Sequence, residues 1–145
     1  MNAAHATAVA ATFLWLGMVA AISFIEAPLK FRAPGITIPL GLGIGRLVFR
    51  ALNSVEAVWA LALIVAMVAG DGWPRLAGPA LGAAVAALAV QVIAVRPALA
   101  RRSDAVLASP DDIPAERSHA HLWYVGLELV KTAALVTLGA VLLTA

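Results

Sequence analysis

The stretch SHAHLWYVGLELVKTAALVTLGAVLLT, residues 118–144, decides the fold class. Only Glu128 and Lys131 carry a full charge within it. A helix of this length can cross the roughly 30 Å of hydrocarbon in a bilayer. Because lipid offers no partner to an unpaired backbone group, helix is the expected conformation. We therefore predict a transmembrane helix from about Ser118 to Thr144.

Three more apolar segments of similar length precede it. They run from about Ala8 to Ala27, from Arg46 to Ala69 and from Leu76 to Val95, and the first and third end at a proline. Only 12% of the residues are charged and the mean hydropathy is +0.96. Soluble domains carry about twice that share of charge. The sequence predicts an all-α fold, a polytopic membrane protein whose residues 1–145 form a single four-helix transmembrane domain.

The composition also excludes several classes of site. The chain has no cysteine, so disulfides, thiolate metal sites and cysteine catalysis are ruled out. Gly41, Gly43 and Gly45 alternate in an apolar stretch outside any strand–helix unit, so they are not a dinucleotide-binding fingerprint. The net charge of +2 arises from residues at helix ends and in loops. We attribute these to membrane topology and expect no nucleic-acid partner.

The basic residues predict an orientation. The two long connections and their flanks carry Lys30, Arg32, Arg46, Arg50, Arg96, Arg101, Arg102 and Arg117, whereas the opposite side has only Arg75. The positive-inside rule then places both long loops in the cytoplasm and both termini outside. The bias toward Ala, Gly and Arg is typical of a GC-rich bacterial genome. We therefore expect a multi-pass protein of the plasma (inner) membrane of a bacterium, with the first apolar segment retained as a helix.

The two long connections differ in character. Ala105 to Arg117 contains Ser109-Pro110-Asp111-Asp112, which predicts an exposed polar loop followed by a helix start. Ala33 to Gly45 has no charge, four Gly and two Pro. Two alternatives stay open for this segment: an interfacial or re-entrant stretch packed on the bundle, or a plain surface loop.

An internal repeat is a further hypothesis. Val55-Glu56-Ala57-Val58-Trp59 aligns with Leu127-Glu128-Leu129-Val130-Lys131, and Pro28 to Arg32 aligns with Pro97 to Arg101. This pattern predicts two tandem helical hairpins in parallel topology, as some small transporters have. A chance match between alanine-rich helices is the alternative.

Polar residues at helical spacing identify a candidate site. Arg46, Arg50, Asn53 and Glu56 share one face of helix two, and His121, Tyr124, Glu128 and Lys131 share one face of helix four. Both glutamates lie about 15 Å inside the boundary. Charged groups there cost about 3 kcal/mol each. We predict that these eight residues line a cytoplasm-facing polar pocket for a small, anionic molecule. In this pocket the arginines would bind the anion, and Glu56, Glu128 and Lys131 would hold or relay protons.

Packing alone offers an alternative interpretation of the same residues. Glu128 and Lys131 can form an i,i+3 pair, and Arg50, Asn53 and Glu56 can satisfy one another between helices. Gln91 of helix three is expected to hydrogen-bond into the same interior.

The histidines do not predict a metal site. His119 and His121 point about 160° apart on a helix, and His5 lies on the opposite side of the membrane. We expect them at the headgroup boundary, together with Trp123. Glu26 and Lys30 are expected to pair at the interface.

Two resemblances add to this. Leu16-Gly17, Ala27-Pro28-Leu29-Lys30-Phe31 and Gly45-Arg46-Leu47-Val48-Phe49 resemble a family of small, uncharacterised four-helix bacterial membrane proteins, which implies four helices and no known reaction. Arg46, Arg50-Ala51, Asn53 and Glu56 are locally similar to helix two of the MAPEG family, membrane proteins of eicosanoid and glutathione metabolism. That similarity implies a trimer that grips glutathione with these residues and assists its thiolate with an Arg or Tyr124. Arg50 is one residue too close to Asn53 for the family's spacing.

Three functions follow from these observations. The first is binding or transport of a small molecule by a homo-oligomer, without a cofactor. The second is a MAPEG-like enzyme with glutathione, and the third is a structural or assembly protein without a ligand. The sequence leaves open whether any reaction is catalysed.

Overall fold

The computed structural model describes residues 2–109, 111 and 119–145. These residues form four helices: α1 (Ala3–Lys30), α2 (Ile38–Ala69), α3 (Ala77–Ala108) and α4 (His119–Leu143). No strand occurs in the described part of the chain. Each helix is long and apolar enough to span a membrane. The predicted all-α, four-helix, multi-pass fold is confirmed.

The helices pack in a ring. Helix α1 contacts α2 and α4, and α3 contacts α4 and α2. The order around the bundle is therefore α2, α1, α4, α3, which places α2 and α4 diagonally opposite each other. We call the end that carries the chain termini and residues 70–76 the termini side. The other end, where α1 leads into α2 and α3 leads toward α4, is the loop side.

Helix α2 begins eight residues earlier than the predicted Arg46, at Ile38. The Thr37 hydroxyl accepts a hydrogen bond from the Leu40 N–H at 3.3 Å, and Pro39 lies in the first turn. Both features favour a helix start. The plain surface loop is therefore wrong beyond residue 37, because only residues 31–37 connect the two helices. An interfacial position of the helical part stays a prediction.

Prolines do not end α1 and α3, contrary to the prediction. Instead each helix passes through a π-helical segment, Ala20–Glu26 in α1 and Gln91–Val95 in α3, just before Pro28 and Pro97. The Ala27 N–H bonds the Ile22 carbonyl and the Arg96 N–H bonds the Gln91 carbonyl, each five residues back. The wider turn accommodates the proline ring and its missing N–H. A π-helical segment followed by a proline occurs in the first helix of each hairpin, and this similarity favours the internal repeat.

The predicted polar loop is only partly described. Ala105 to Ala108 form the end of α3, and Ser109 follows it. Pro110 and residues 112–118, which include Asp112 and Arg117, lie outside the described residues.

The bundle interior is apolar toward the termini side. Small and aliphatic side chains fill it, among them Ala8, Ala11, Leu63, Ala66, Ala84, Leu135 and Leu138. Small residues let membrane helices approach closely enough for dispersion contacts. At this end the His5 Nε2 lies 2.7 Å from the Leu142 carbonyl, and its ring stacks on Trp73. His5 is therefore at the opposite end from His119, as predicted.

Close packing of α3 generates a stability prediction. Ala84 is wholly buried, and its neighbour Ala83 is exposed on the surface that would face lipid. We expect Ala84→Leu to lower the free energy of unfolding by about 1–3 kcal/mol because the added atoms overpack the core. Ala83→Leu is the matched control and should change little. Reversible unfolding in mixed micelles, followed by circular dichroism, measures both, and equal effects would contradict the packing described.

Candidate functional site

A buried group of polar side chains joins all four helices in the middle of the bundle. We call it the ionic cluster: Trp15 and Ser23 of α1, Glu56 of α2, Gln91 of α3, and Glu128 and Lys131 of α4. Glu56, Gln91 and Lys131 have no exposed surface, and Glu128 is 2% exposed. Lys131 lies twelve residues from either end of α4, or about 18 Å, so its charge is at mid-membrane depth.

Lys131 is the centre of the cluster. Its Nζ lies 2.5 Å from Glu56 Oε1, 2.7 Å from Glu128 Oε1 and 2.8 Å from Gln91 Oε1. An ammonium group has three N–H donors and no acceptor. All three donors are thus matched by acceptors from three helices, and the contact with Glu56 crosses the bundle diagonally from α4 to α2.

The two glutamates differ in their partners. Glu128 Oε1 accepts from Lys131 and from Gln91 Nε2 at 2.7 Å, and its Oε2 accepts from Ser23 Oγ at 2.7 Å. Glu56 Oε1 accepts from Lys131 and from Trp15 Nε1 at 2.9 Å. Glu56 Oε2 is also buried, yet no described group bonds it. One carboxyl group is therefore fully satisfied and the other has a bare oxygen.

Both π-helical segments contribute to the cluster. Ser23 lies within the segment of α1, and Gln91 is the first residue of the segment of α3. Each donates to Glu128. Single-turn π-bulges are frequent at functional sites, because they re-aim side chains without breaking the helix. Here they direct polar groups from the two diagonally opposed helices α1 and α3 toward α4.

Aromatic rings close the cluster toward the loop side. Tyr124 donates a long hydrogen bond of 3.4 Å to Asn53 Oδ1, and Phe49 packs edge-on against the Tyr124 ring at 5.3 Å. We call Phe49 and Tyr124 the aromatic seal. The Lys30 ammonium lies 5.5 Å from the Phe49 ring centre and 3.6 Å from Glu26. The predicted Glu26–Lys30 pair is confirmed, and it lies directly on this seal.

Five of the eight predicted site residues are buried in the interior, namely Asn53, Glu56, Tyr124, Glu128 and Lys131. The other three, Arg46, Arg50 and His121, are exposed. Arg46 forms an ion pair with Asp104 of α3. Arg46 and Arg50 lie eight and twelve residues after the start of α2, on the side of the helix that is not buried in the bundle. The arginines therefore do not join the buried carboxylates as the predicted helix face implied.

No open pocket between α2 and α4 is formed by these residues in this conformation, because the cluster is closed to solvent. The two helices lie diagonally, and side chains of α1 and α3 fill the space between them. Two surface hollows of about 480 and 270 Å³ lie elsewhere. The larger is on the termini side beside Arg75 and Thr144, and the smaller is beside His119 and Trp123.

The packing alternative is confirmed only in part. Glu128 and Lys131 do form the i,i+3 pair, but Glu56 bonds Lys131 and Trp15 and not Arg50. Gln91 bonds into the interior, as expected. Sequence reasoning missed Trp15 and Ser23. The buried face of α1, Ala8, Ala11, Thr12, Trp15 and Val19, has helical spacing, and a buried indole N–H needs an acceptor. That signal could have found Trp15.

The residues of the two resemblances are placed as follows. Of those similar to the glutathione-binding helix, Asn53 and Glu56 are buried, whereas Arg46 and Arg50 are exposed. These four residues therefore do not come together in one binding site. By contrast, the ends of α1 and α2 that resemble the small bacterial proteins pack on each other, since Phe31 covers Gly41 and Lys30 covers Gly45. Among the described residues, no group of three or more metal-ligating side chains comes together.

The hydrogen bonds of Gln91 generate a prediction. Gln91→Leu would leave both Lys131 and Glu128 without one partner. We expect a loss of about 2 kcal/mol or more in the free energy of unfolding, because hydrogen bonds to charged groups contribute about 1.5–3 kcal/mol each. Val90→Leu, on the exposed face of the same helix, is the control and should be nearly neutral. Equal stability of the two variants in micelle unfolding would show that the hydrogen bonds to Gln91 do not contribute to the free energy of unfolding.

Comparison with known proteins gives no family for this chain. A scan against protein-family models found no match. Searches of the curated proteins and of the solved structures found none either.

Proposed function

We propose that this protein binds or transports a small polar solute in the membrane, and that the ionic cluster is the centre of that activity. The observation that carries the proposal is the presence of two carboxyl groups around one ammonium at mid-membrane depth. Intramembrane ionisable residues are costly, and they are typical of substrate pathways and proton relays.

Packing does not account for the second carboxyl group. An ion pair that serves only to hold helices together needs one acid for each base, and Glu128 already satisfies Lys131 as its neighbour on α4. Glu56 adds a further ionisable group with an unpaired oxygen in a region where each polar group is expensive. A purely structural role needs only a neutral acceptor for Lys131 and Trp15 at this position, such as a glutamine, and not a second acid.

The distribution of polarity indicates the direction of access. The interior is apolar on the termini side and polar from the cluster toward Asn53 and Tyr124. A polar solute would therefore reach the cluster from the loop side, past the aromatic seal. Under the predicted orientation this is the cytoplasmic side. Lys30, Arg50 and Arg96 lie near this end, which favours an anion as the first class of solute to test.

Opening requires the helices around the seal to move. The π-helical segments and prolines of α1 and α3 are weak points in the backbone hydrogen-bond ladder, and they lie at the level of the cluster and the seal. Bending there would separate Lys30 and the α1 end from Phe49. The closed conformation then corresponds to an occluded state of a binding or transport cycle.

A structural or assembly role without a ligand is the second candidate, favoured by the complete closure of the cluster. The two functions differ in what Glu56 does. In an assembly protein Glu56→Gln would have no effect on solute or proton flux. In a transporter it would remove a carboxyl group that the transport cycle uses.

Proton flux in proteoliposomes tests the proposal. Vesicles containing a trapped pH-sensitive dye, with the voltage clamped by valinomycin and potassium, would receive a panel of solutes: succinate, phosphate, glutathione, arginine and choline. We expect at least one solute to drive proton flux above protein-free vesicles. Glu56→Gln should reduce that flux about ten-fold or more, because the group that titrates is gone.

The matched control is Asp71→Asn. Asp71 is exposed on the termini side, away from the ionic cluster and the aromatic seal, so this variant should keep most of the flux. If wild-type protein gives no flux with any member of the panel, or if Glu56→Gln is as active as wild type, the transport proposal is wrong. The assembly role is then the favoured function.

A further inference from the structure

We infer that the ionic cluster holds one exchangeable proton, and that the proton resides on Glu56 Oε2. This inference rests on the proposed function and deepens it, because it names the coupling ion and the atom that carries it. It follows from the charge count of the cluster and from the unequal partners of the two glutamates.

The charge count comes first. The groups that face Glu56 are Trp15 from α1 and Tyr124, Glu128 and Lys131 from α4, while Gln91 of α3 bonds both Glu128 and Lys131. Arg96 of α3 lies near Tyr124, and among the described contacts Lys131 is the one cation that bonds a carboxyl group of the cluster. With both carboxyl groups ionised, the described cluster would carry a net charge of −1 at mid-membrane. Burial of an uncompensated charge is far more costly than protonation of one acid.

The partners decide which acid is neutral. Glu128 receives three hydrogen bonds that use both of its oxygens, from Lys131, Gln91 and Ser23. This is the arrangement that stabilises a carboxylate. Glu56 receives bonds only at Oε1, and its buried Oε2 has no described donor. A carboxylic acid with its carbonyl oxygen at Oε1 and its hydroxyl at Oε2 keeps the contacts at Oε1 and leaves no negative charge on the oxygen that no described donor reaches.

Lys131 cannot supply the missing donor. Its three N–H groups are already matched by Glu56 Oε1, Glu128 Oε1 and Gln91 Oε1. The nearest polar residue on the same helix is Asn53, one turn toward the loop side, and its buried Nδ2 also has no described partner. An unpaired buried polar atom therefore lies on the loop-side approach to Glu56, where a proton would enter or leave.

The step is a simple proton exchange. The Glu56 O–H bond breaks, the proton passes to a water molecule that enters from the loop side, and a carboxylate remains. No electron transfer or other bond change is involved. The reverse reaction reloads Glu56 when the seal opens again.

Infrared spectroscopy of the full chain in lipid nanodiscs tests the inference without any solute. In sodium-free buffer at neutral pH, we expect a C=O stretching band of a protonated carboxylic acid that shifts in D₂O. The band should be lost in Glu56→Gln. It should remain in Asp71→Asn, whose side chain is exposed on the termini side.

A matched pair of mild variants assigns the proton to one of the two acids. Trp15→Phe removes the hydrogen bond to the Glu56 carbonyl oxygen, and Ser23→Ala removes the bond to Glu128 Oε2. We expect Trp15→Phe to shift the band to higher frequency and Ser23→Ala to leave it unchanged. The opposite pattern would place the proton on Glu128 and overturn the assignment.

Two further outcomes would also overturn it. Absence of any such band in wild-type protein would mean that the cluster holds no proton at neutral pH. A band that is replaced by carboxylate absorption when sodium is added would mean that a metal cation occupies the site under those conditions. Because no solute is present, a band without transport would reject the proposed function alone, and transport without a band would reject this inference alone.

Discussion

The ammonium group of Lys131, placed twelve residues from each end of α4, is the constraint on which the rest of the interior depends. A cation at this depth must be compensated within the protein, because lipid offers neither water nor counter-ions. Three helices supply its acceptors, and α1 supplies donors to the two carboxyl groups. The bundle thus has one polar level, set in an otherwise apolar interior, that requires all four helices to be present.

The geometry of the bundle follows from the same requirement. Glu56 and Lys131 meet although α2 and α4 lie diagonally opposite, and this is feasible because alanine lines much of the remaining core. The π-helical segments turn Ser23 and Gln91 toward α4, and the prolines after them explain why the turns widen there. The two hairpins use the same backbone device, but only the second provides the lysine. The shared π-helical segment favours an internal repeat, which stays a prediction.

Sequence alone predicted the four helices, the burial of both glutamates and the contribution of Gln91, because hydropathy and helical spacing decide these. It placed the start of α2 too late, because the glycines between Ala33 and Gly45 are poor helix formers. It also grouped Arg46 and Arg50 with Glu56. Helical spacing gives the direction of a Cβ, but a long cationic side chain can extend away from the bundle, as those of Arg46 and Arg50 do. Contacts between helices, such as the hydrogen bond from Trp15 to Glu56, depend on which helices are neighbours. No local sequence pattern encodes that.

The most direct test of this account asks which acid is the counter-ion of Lys131. Lys131→Met should lower the free energy of unfolding by about 3–5 kcal/mol, because it leaves a buried carboxylate without its partner. Adding Glu128→Gln should recover most of that loss, whereas adding Glu56→Gln should recover little, since Glu56 is already neutral. Unfolding of the three variants in micelles decides the matter. Recovery by Glu56→Gln and not by Glu128→Gln would contradict the account.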